Sequence, residues 1–106
     1  MSNTVSPRTT DPYLQVVRTE VAMEVINRAR GLVHARVCQL EDGTETDQRE
    51  AERLTVKAGE LYRLLRSLDF REQDRVEEVI ARWGSLVSDE ARFWPALEGG
   101  HLLHPA

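Results

Sequence analysis

Apolar residues recur along this chain at intervals of three and four. Ala51, Leu54, Ala58, Leu61, Leu65 and Leu68 form the clearest stripe, and Val76, Val79, Ile80, Trp83, Leu86 and Val87 form a second. A third and longer stripe runs Leu14, Val17, Val21, Val25, Ala29 and Leu32. That spacing sets each group on one side of an α-helix. The pattern therefore predicts an all-α fold, a small bundle of three main helices with a short C-terminal helix.

Local signals place the ends of these helices. Asp11 is a good N-cap and Pro12 suits a first helical position, so the first helix is expected over Pro12 to about Leu40. Gly31 weakens that helix and leaves open one long helix or two joined there. Glu41-Asp42-Gly43-Thr44 has the composition of a turn. Asp47 and Glu50 have capping-box spacing and open a second helix that reaches about Arg66. Asp69 and Glu72 repeat the spacing and open a third, to about Trp83, with Gly84 as a C′ residue or Leu86 and Val87 carrying the helix on. Ser88-Asp89-Glu90 caps a short fourth helix that should stop before Pro95. Residues 1–10 are polar and form an expected flexible tail, residues 11–94 the helical domain, and residues 95–106 a second flexible tail without periodicity.

The first helix is unusual. Ala22, Ile26, Val33, Val37 and Leu40 fall beside its main stripe, so its apolar arc covers about half the circumference, where roughly 100° suffices for one-sided packing. The extra width is either core between two flanking helices or a partner surface. Arg18 and Arg36 project into the arc, where their stems can lie on apolar surface and their heads in water.

Totals narrow the function. A chain of 106 residues with 41% hydrophobic and 30% charged residues is expected to be one ordinary globular domain. The net charge of −4 argues against a large phosphate-binding patch. Thirteen Arg and a single Lys, Lys57, alternate with Asp and Glu, as on a solvated helix face. Cys38 is the only cysteine, so no intramolecular disulfide forms. The first residues lack the basic start and apolar run of a signal peptide, and no stretch approaches the roughly 20 apolar residues of a membrane span. A soluble, cytoplasmic protein is expected.

Catalytic patterns are weak. Glu20, Glu24 and Asn27 lie at spacings of four and three on one side of the first helix, and suit a solvated face or a partner contact better than acid–base work. No helix carries a Glu-x-x-His pair, and Glu98-Gly99-Gly100-His101 has that spacing only in a Gly-rich tail. His34 and Cys38 stand at i, i+4 and could begin a metal site, yet two further ligands are missing. We therefore expect no metal and no cofactor, and read Cys38 as structural and His101 and His104 as tail residues. Neither a Gly-rich phosphate loop nor a Gly-x-Ser-x-Gly elbow is present. The expected class is a non-enzymatic protein binder. A helix-turn-helix DNA reader is the rival, but Asp74, Glu77 and Glu78 offset Arg71, Arg75 and Arg82 on the third helix.

Glu24-Val25-Ile26-Asn27, followed by Val33, Arg36 and Val37, resembles the first long helix of the epsilon antitoxins of epsilon/zeta toxin–antitoxin modules. Ser67-Leu68-Asp69-Phe70 and Val79-Ile80-Ala81-Arg82-Trp83-Gly84-Ser85 look like that family's helix junction and last helix, and the likeness spans about residues 17–88. The resemblance implies a small three-helix bundle whose partner is a P-loop kinase that phosphorylates UDP-N-acetylglucosamine. It implies that the N-terminal helix covers the kinase's nucleotide site in a hetero-oligomer. On this chain that role falls to Tyr13, Val17, Glu20, Glu24 and Asn27. Only Glu24 and Asn27 match a family motif directly, and Glu20 is chosen on helical geometry. The longer N-terminal extension and the tail with Phe93, Trp94 and Pro95 depart from the family. A helical adaptor or chaperone for another protein is the alternative within the same class.

Overall fold

The computed structural model describes residues 11–99. The expected tails over residues 1–10 and from residue 100 onward, with His101 and His104, lie outside the described residues. Four α-helices follow one another, α1 over Pro12–Leu40, α2 over Glu45–Ser67, α3 over Gln73–Trp83 and α4 over Glu90–Glu98. A 3-10 turn over Leu86–Ser88 joins the last two, and no strand occurs among the described residues.

α1 is a single helix through Gly31. Its start is fixed as the sequence indicates: the Asp11 side chain accepts from the Tyr13 backbone N–H at 2.9 Å, and Pro12 follows the cap. α2 starts differently from expectation. Its N-cap is Thr44, whose hydroxyl accepts from the Asp47 N–H at 3.1 Å while the Asp47 carboxylate accepts from the Thr44 N–H at 3.1 Å. The capping box is therefore Thr44/Asp47 rather than Asp47/Glu50, and it satisfies two otherwise orphaned donors. Gly43 is tied to this cap, because a Cβ there would stand 2.3 Å from the Asp47 carboxylate.

The second expected capping box is also absent. α3 begins at Gln73 after Glu72, with no side-chain cap. Asp69 instead closes a turn of its own by accepting from the Arg71 N–H at 2.9 Å. At the other end Gly84 keeps right-handed helical dihedrals, with φ of −55°, so it is no left-handed C′ residue. The chain passes from there straight into the 3-10 turn.

Pro95 does not end α4, and the helix runs on to Glu98. The expected end of the fourth helix before Pro95 is thereby corrected. Proline at the sixth position of a nine-residue helix removes one ladder bond. Phe93 and Leu97, both fully buried, anchor the segments on either side of it.

The core selects one side of α1. Ala22, Ile26, Ala29 and Val33 are fully buried there, with Thr19, Val25 and Val37 nearly so. α2 faces them with Leu54, Leu61 and Leu64, α3 with Val76, Val79 and Trp83. α1 packs along α2 and, on another flank, against α3, so it is the central element. Trp83 and Phe93 meet edge to face with centroids 6.0 Å apart and tie α4 to the core. The stripes of α2 and α3 behave as read, except that Leu64 joins the buried set. The stripe expected on α1 does so only in its second half, where Val25 and Ala29 are buried and Leu32 packs against the core; in its first half Leu14 and Val21 are exposed and Val17 is half-buried. The residues that fell beside it form most of the α1 core.

Candidate functional site

A helix advances 100° per residue, so Tyr13, Val17, Glu20, Glu24 and Asn27 span about 80° of arc. The buried residues of α1 centre on the opposite side. The structure therefore brings the five together as one strip facing away from the core. Tyr13 is 72% exposed, Glu20, Glu24 and Asn27 are exposed, and Val17 is half-buried.

The strip is polar along its spine and apolar on its flanks. Glu24 lies 4.0 Å from the Arg28 guanidinium, one turn on. An exposed pair at that distance is worth little, so the carboxylate can change partners at small cost. Asn27 Oδ1 accepts from Arg30 Nη1 at 2.8 Å. Leu14 and Val21 flank the strip on one side, Val16 and Met23 on the other, and all four are exposed.

Val16 and Met23 also line a shallow groove of about 500 Å³ with Glu20 and, across it, Leu68 and Phe70 from the α2–α3 junction. Phe70 is 41% exposed, and the Arg71 guanidinium sits 5.7 Å from its ring centroid. Sequence reasoning missed Val16, Met23 and Phe70 as surface residues. Their spacing from the antitoxin-like positions gives no warning, because Phe70 reaches the strip only through the fold.

A second missed feature lies beside Asn27. Arg30 stands over the Tyr62 ring at 4.9 Å, and Arg66 lies 5.7 Å from the same centroid. The Tyr62–Arg66 half is an i, i+4 pair legible in sequence, but Arg30 comes from another helix.

Beneath the strip a polar seam fixes α3 on the first half of α1. Arg18 gives the Glu77 carboxylate two hydrogen bonds, 2.7 Å from Nε and 2.6 Å from Nη2. Those bonds hold the Glu77 carboxyl below the ordinary carboxylate range and push the Arg18 guanidinium up. Arg18 thus does not merely snorkel, since it meets a fixed partner on α3. Gln73, buried at the start of α3, donates through Nε2 to the Phe70 carbonyl and at 3.3 Å to the Gln15 carbonyl. Arg36, the other cation of the arc, is exposed and lines a cleft with Glu50, Leu54, Trp94 and Glu98. Beside that cleft Arg53 bridges Glu50 on its own helix and Glu98 on α4, and its hydrogen bonds hold the Glu50 carboxyl below the ordinary range.

The His34–Cys38 pair lies further along α1. Both are exposed, with Cys38 Sγ 3.6 Å from His34 Nε2. Among the described residues no group of three or more His, Cys, Asp or Glu side chains is placed to hold a metal ion. No helix among them is long and apolar enough to cross a membrane. Comparison of the chain with protein-family models, with curated proteins and with solved structures finds no match in any of the three.

Proposed function

We propose that this chain is a non-enzymatic inhibitor of another protein, an antitoxin built as a bundle of three main helices with a short fourth. It acts by laying the first half of α1 over a partner's binding site. One observation carries the reading. The outward face of α1 combines Tyr13, Leu14, Val16, Val21 and Met23, all exposed apolar side chains, with the carboxylates of Glu20 and Glu24. Apolar flanks supply contact area and exclude water, while carboxylates supply direction.

The partner we favour is a zeta-type P-loop kinase. This choice rests on the resemblance of Glu24-Val25-Ile26-Asn27 and the later segments to the epsilon antitoxins. In such a complex Glu20 and Glu24 pair with the cationic residues that otherwise hold nucleotide phosphates, and Tyr13 and Val17 pack at the rim of that site. The nucleotide is then excluded by charge and by volume. A cytoplasmic location is part of this reading.

Co-expression with a zeta-type kinase tests the proposal. The wild-type chain should bind the kinase and relieve its growth arrest. Glu24→Arg, with folding checked by far-UV circular dichroism, should lose that relief. Full protection by the variant removes Glu24 from the mechanism, and absence of any complex with the wild-type chain removes the kinase.

A further inference from the structure

The shallow groove between α1 and the α2–α3 junction carries opposite charges on its two sides. Val16 and Met23 line it from α1, Leu68 and Phe70 from the junction. Glu20 stands on the α1 side and Arg66 on the α2 side. The groove's other carboxylate, Asp69, is held by Arg71 through bonds of 3.0 Å from both Nε and Nη2, so those two charges cancel. An acid faces a base across four apolar side chains, and Val16, Met23 and Phe70 among them are exposed.

The basic side continues beyond the groove. Arg66 Nη1 donates to the Tyr62 hydroxyl at 3.2 Å, and its guanidinium lies 5.7 Å from the centroid of that ring. Arg30 stands over the same ring at 4.9 Å and donates through Nη1 to Asn27 Oδ1 at 2.8 Å. These partners are all neutral. Arg28, Arg49 and Arg53 on the same two helices each reach a carboxylate of their own helix, whereas Arg30 and Arg66 reach none among the described residues. Two like charges about one ring repel each other, and an anion placed between them relieves that repulsion.

We infer that this face binds an acidic amphipathic helix of another protein. The apolar side chains of that helix enter the groove between Met23 and Phe70, and its carboxylates meet Arg66 and Arg30. Arg30 lies two turns beyond Met23, about 10 Å at 1.5 Å of rise per residue, so the acids stand about two turns along the incoming helix from its apolar anchors. Glu20 repels a second acidic flank and so fixes how the helix is rotated in the groove. A nucleic-acid strand would meet the same arginines, but it leaves the apolar groove empty, and Glu20 repels its phosphates. The face adjoins the outward strip of α1 at Glu20, yet it does not depend on the kinase reading, and its readouts need no kinase.

The test presents the full chain to a displayed library of helical peptides randomised along one face. Enriched sequences should carry two apolar residues one turn apart, with Asp or Glu about two turns from them. The leading peptide should bind more weakly as salt rises. The double variant Arg30→Glu, Arg66→Glu should weaken it about tenfold, and a twin peptide with Lys in place of its acids should bind that double variant better than it binds the wild type. Phe70→Ser should weaken the leading peptide about tenfold. Both variants should keep the helical circular dichroism signal, since the altered side chains are exposed or half-buried at the surface. Absence of enrichment, enrichment without acidic residues, or failure of the charge-swapped pair to bind overturns the proposal. So does a wild-type mass that is doubled in light scattering and single in Phe70→Ser, since a second copy then covers the groove. Tighter binding of a single-stranded oligonucleotide than of the leading peptide overturns it as well.

Discussion

Arg18 on α1 holds Glu77 on α3 through two hydrogen bonds of 2.6 and 2.7 Å, across 59 positions of sequence. The Glu77 side chain is 17% exposed and that of Arg18 40%. The bidentate geometry strengthens the pair and the exposure weakens it. Arg18→Ala should therefore destabilise the fold by about 1 kcal/mol, read from urea unfolding at neutral pH. The sign of the pH effect follows from Glu77. Its carboxyl is held below the ordinary 4.5 in the folded state. The stability it contributes is present in full above the unfolded value and is lost as pH falls through the lower, folded one. Glu77→Gln should be less stable at pH 7 and should lose less stability than the wild type on acidification below about 4.5.

Phe93 anchors α4 by its edge-to-face contact with Trp83, and both rings are almost entirely buried. Phe93→Ala should cost about 3–5 kcal/mol in chemical denaturation, as large-to-small changes in tight cores do. Tryptophan fluorescence, from Trp83 and Trp94 that both meet the Phe93 ring edge to face, should shift to the red in the folded variant. An unshifted spectrum with unchanged stability would mean that α4 is not part of the core.

The hydroxyl of Thr44 holds the start of α2. Thr44→Ala should cost about 1 kcal/mol. Glu50→Gln keeps that cap, so it should leave the start of α2 intact and disturb only the pair with Arg53. Backbone amide exchange over the first turn of α2 separates the two outcomes.

The helices were legible because their periodicity and several of their caps are local. Asp11-Pro12 needs only its neighbours, and so does the stripe of α2. The side of α1 that would be buried was not legible. Its apolar arc is wide enough to offer two solutions, and the choice belongs to α2 and α3, which close on Ala22, Ile26, Ala29 and Val33. Small alanines let those helices approach, while the larger Leu14 and Val21 are left outside. Pro95 misled for a related reason. The rule that helices end before proline is local, and the burial of Leu97 beyond it is tertiary. The common face of Tyr13, Val17, Glu20, Glu24 and Asn27 follows from helical spacing, whereas their choice rests on the resemblance and, for Glu20, on helical geometry. The groove beside them depends on Phe70 and stayed invisible, as did the partner of Arg18.

Gly31 offers a clean measure of how little the core asks of that position. Gly31→Ala should stabilise the chain by about 0.5–1 kcal/mol in thermal or chemical unfolding, because its Cβ enters open space within a helix. A destabilised variant would place an unseen contact there.

Exposed residues of the α1 strip should be dispensable for folding and indispensable for binding. The decisive measurement is the binding of a fluorescent nucleotide to a zeta-type kinase, titrated with the wild-type chain and with the double variant Tyr13→Ala, Glu24→Arg. The account predicts that the wild type drives the nucleotide off in proportion to complex formed, and that the folded variant leaves it bound. Nucleotide that stays bound in a saturated wild-type complex would contradict it.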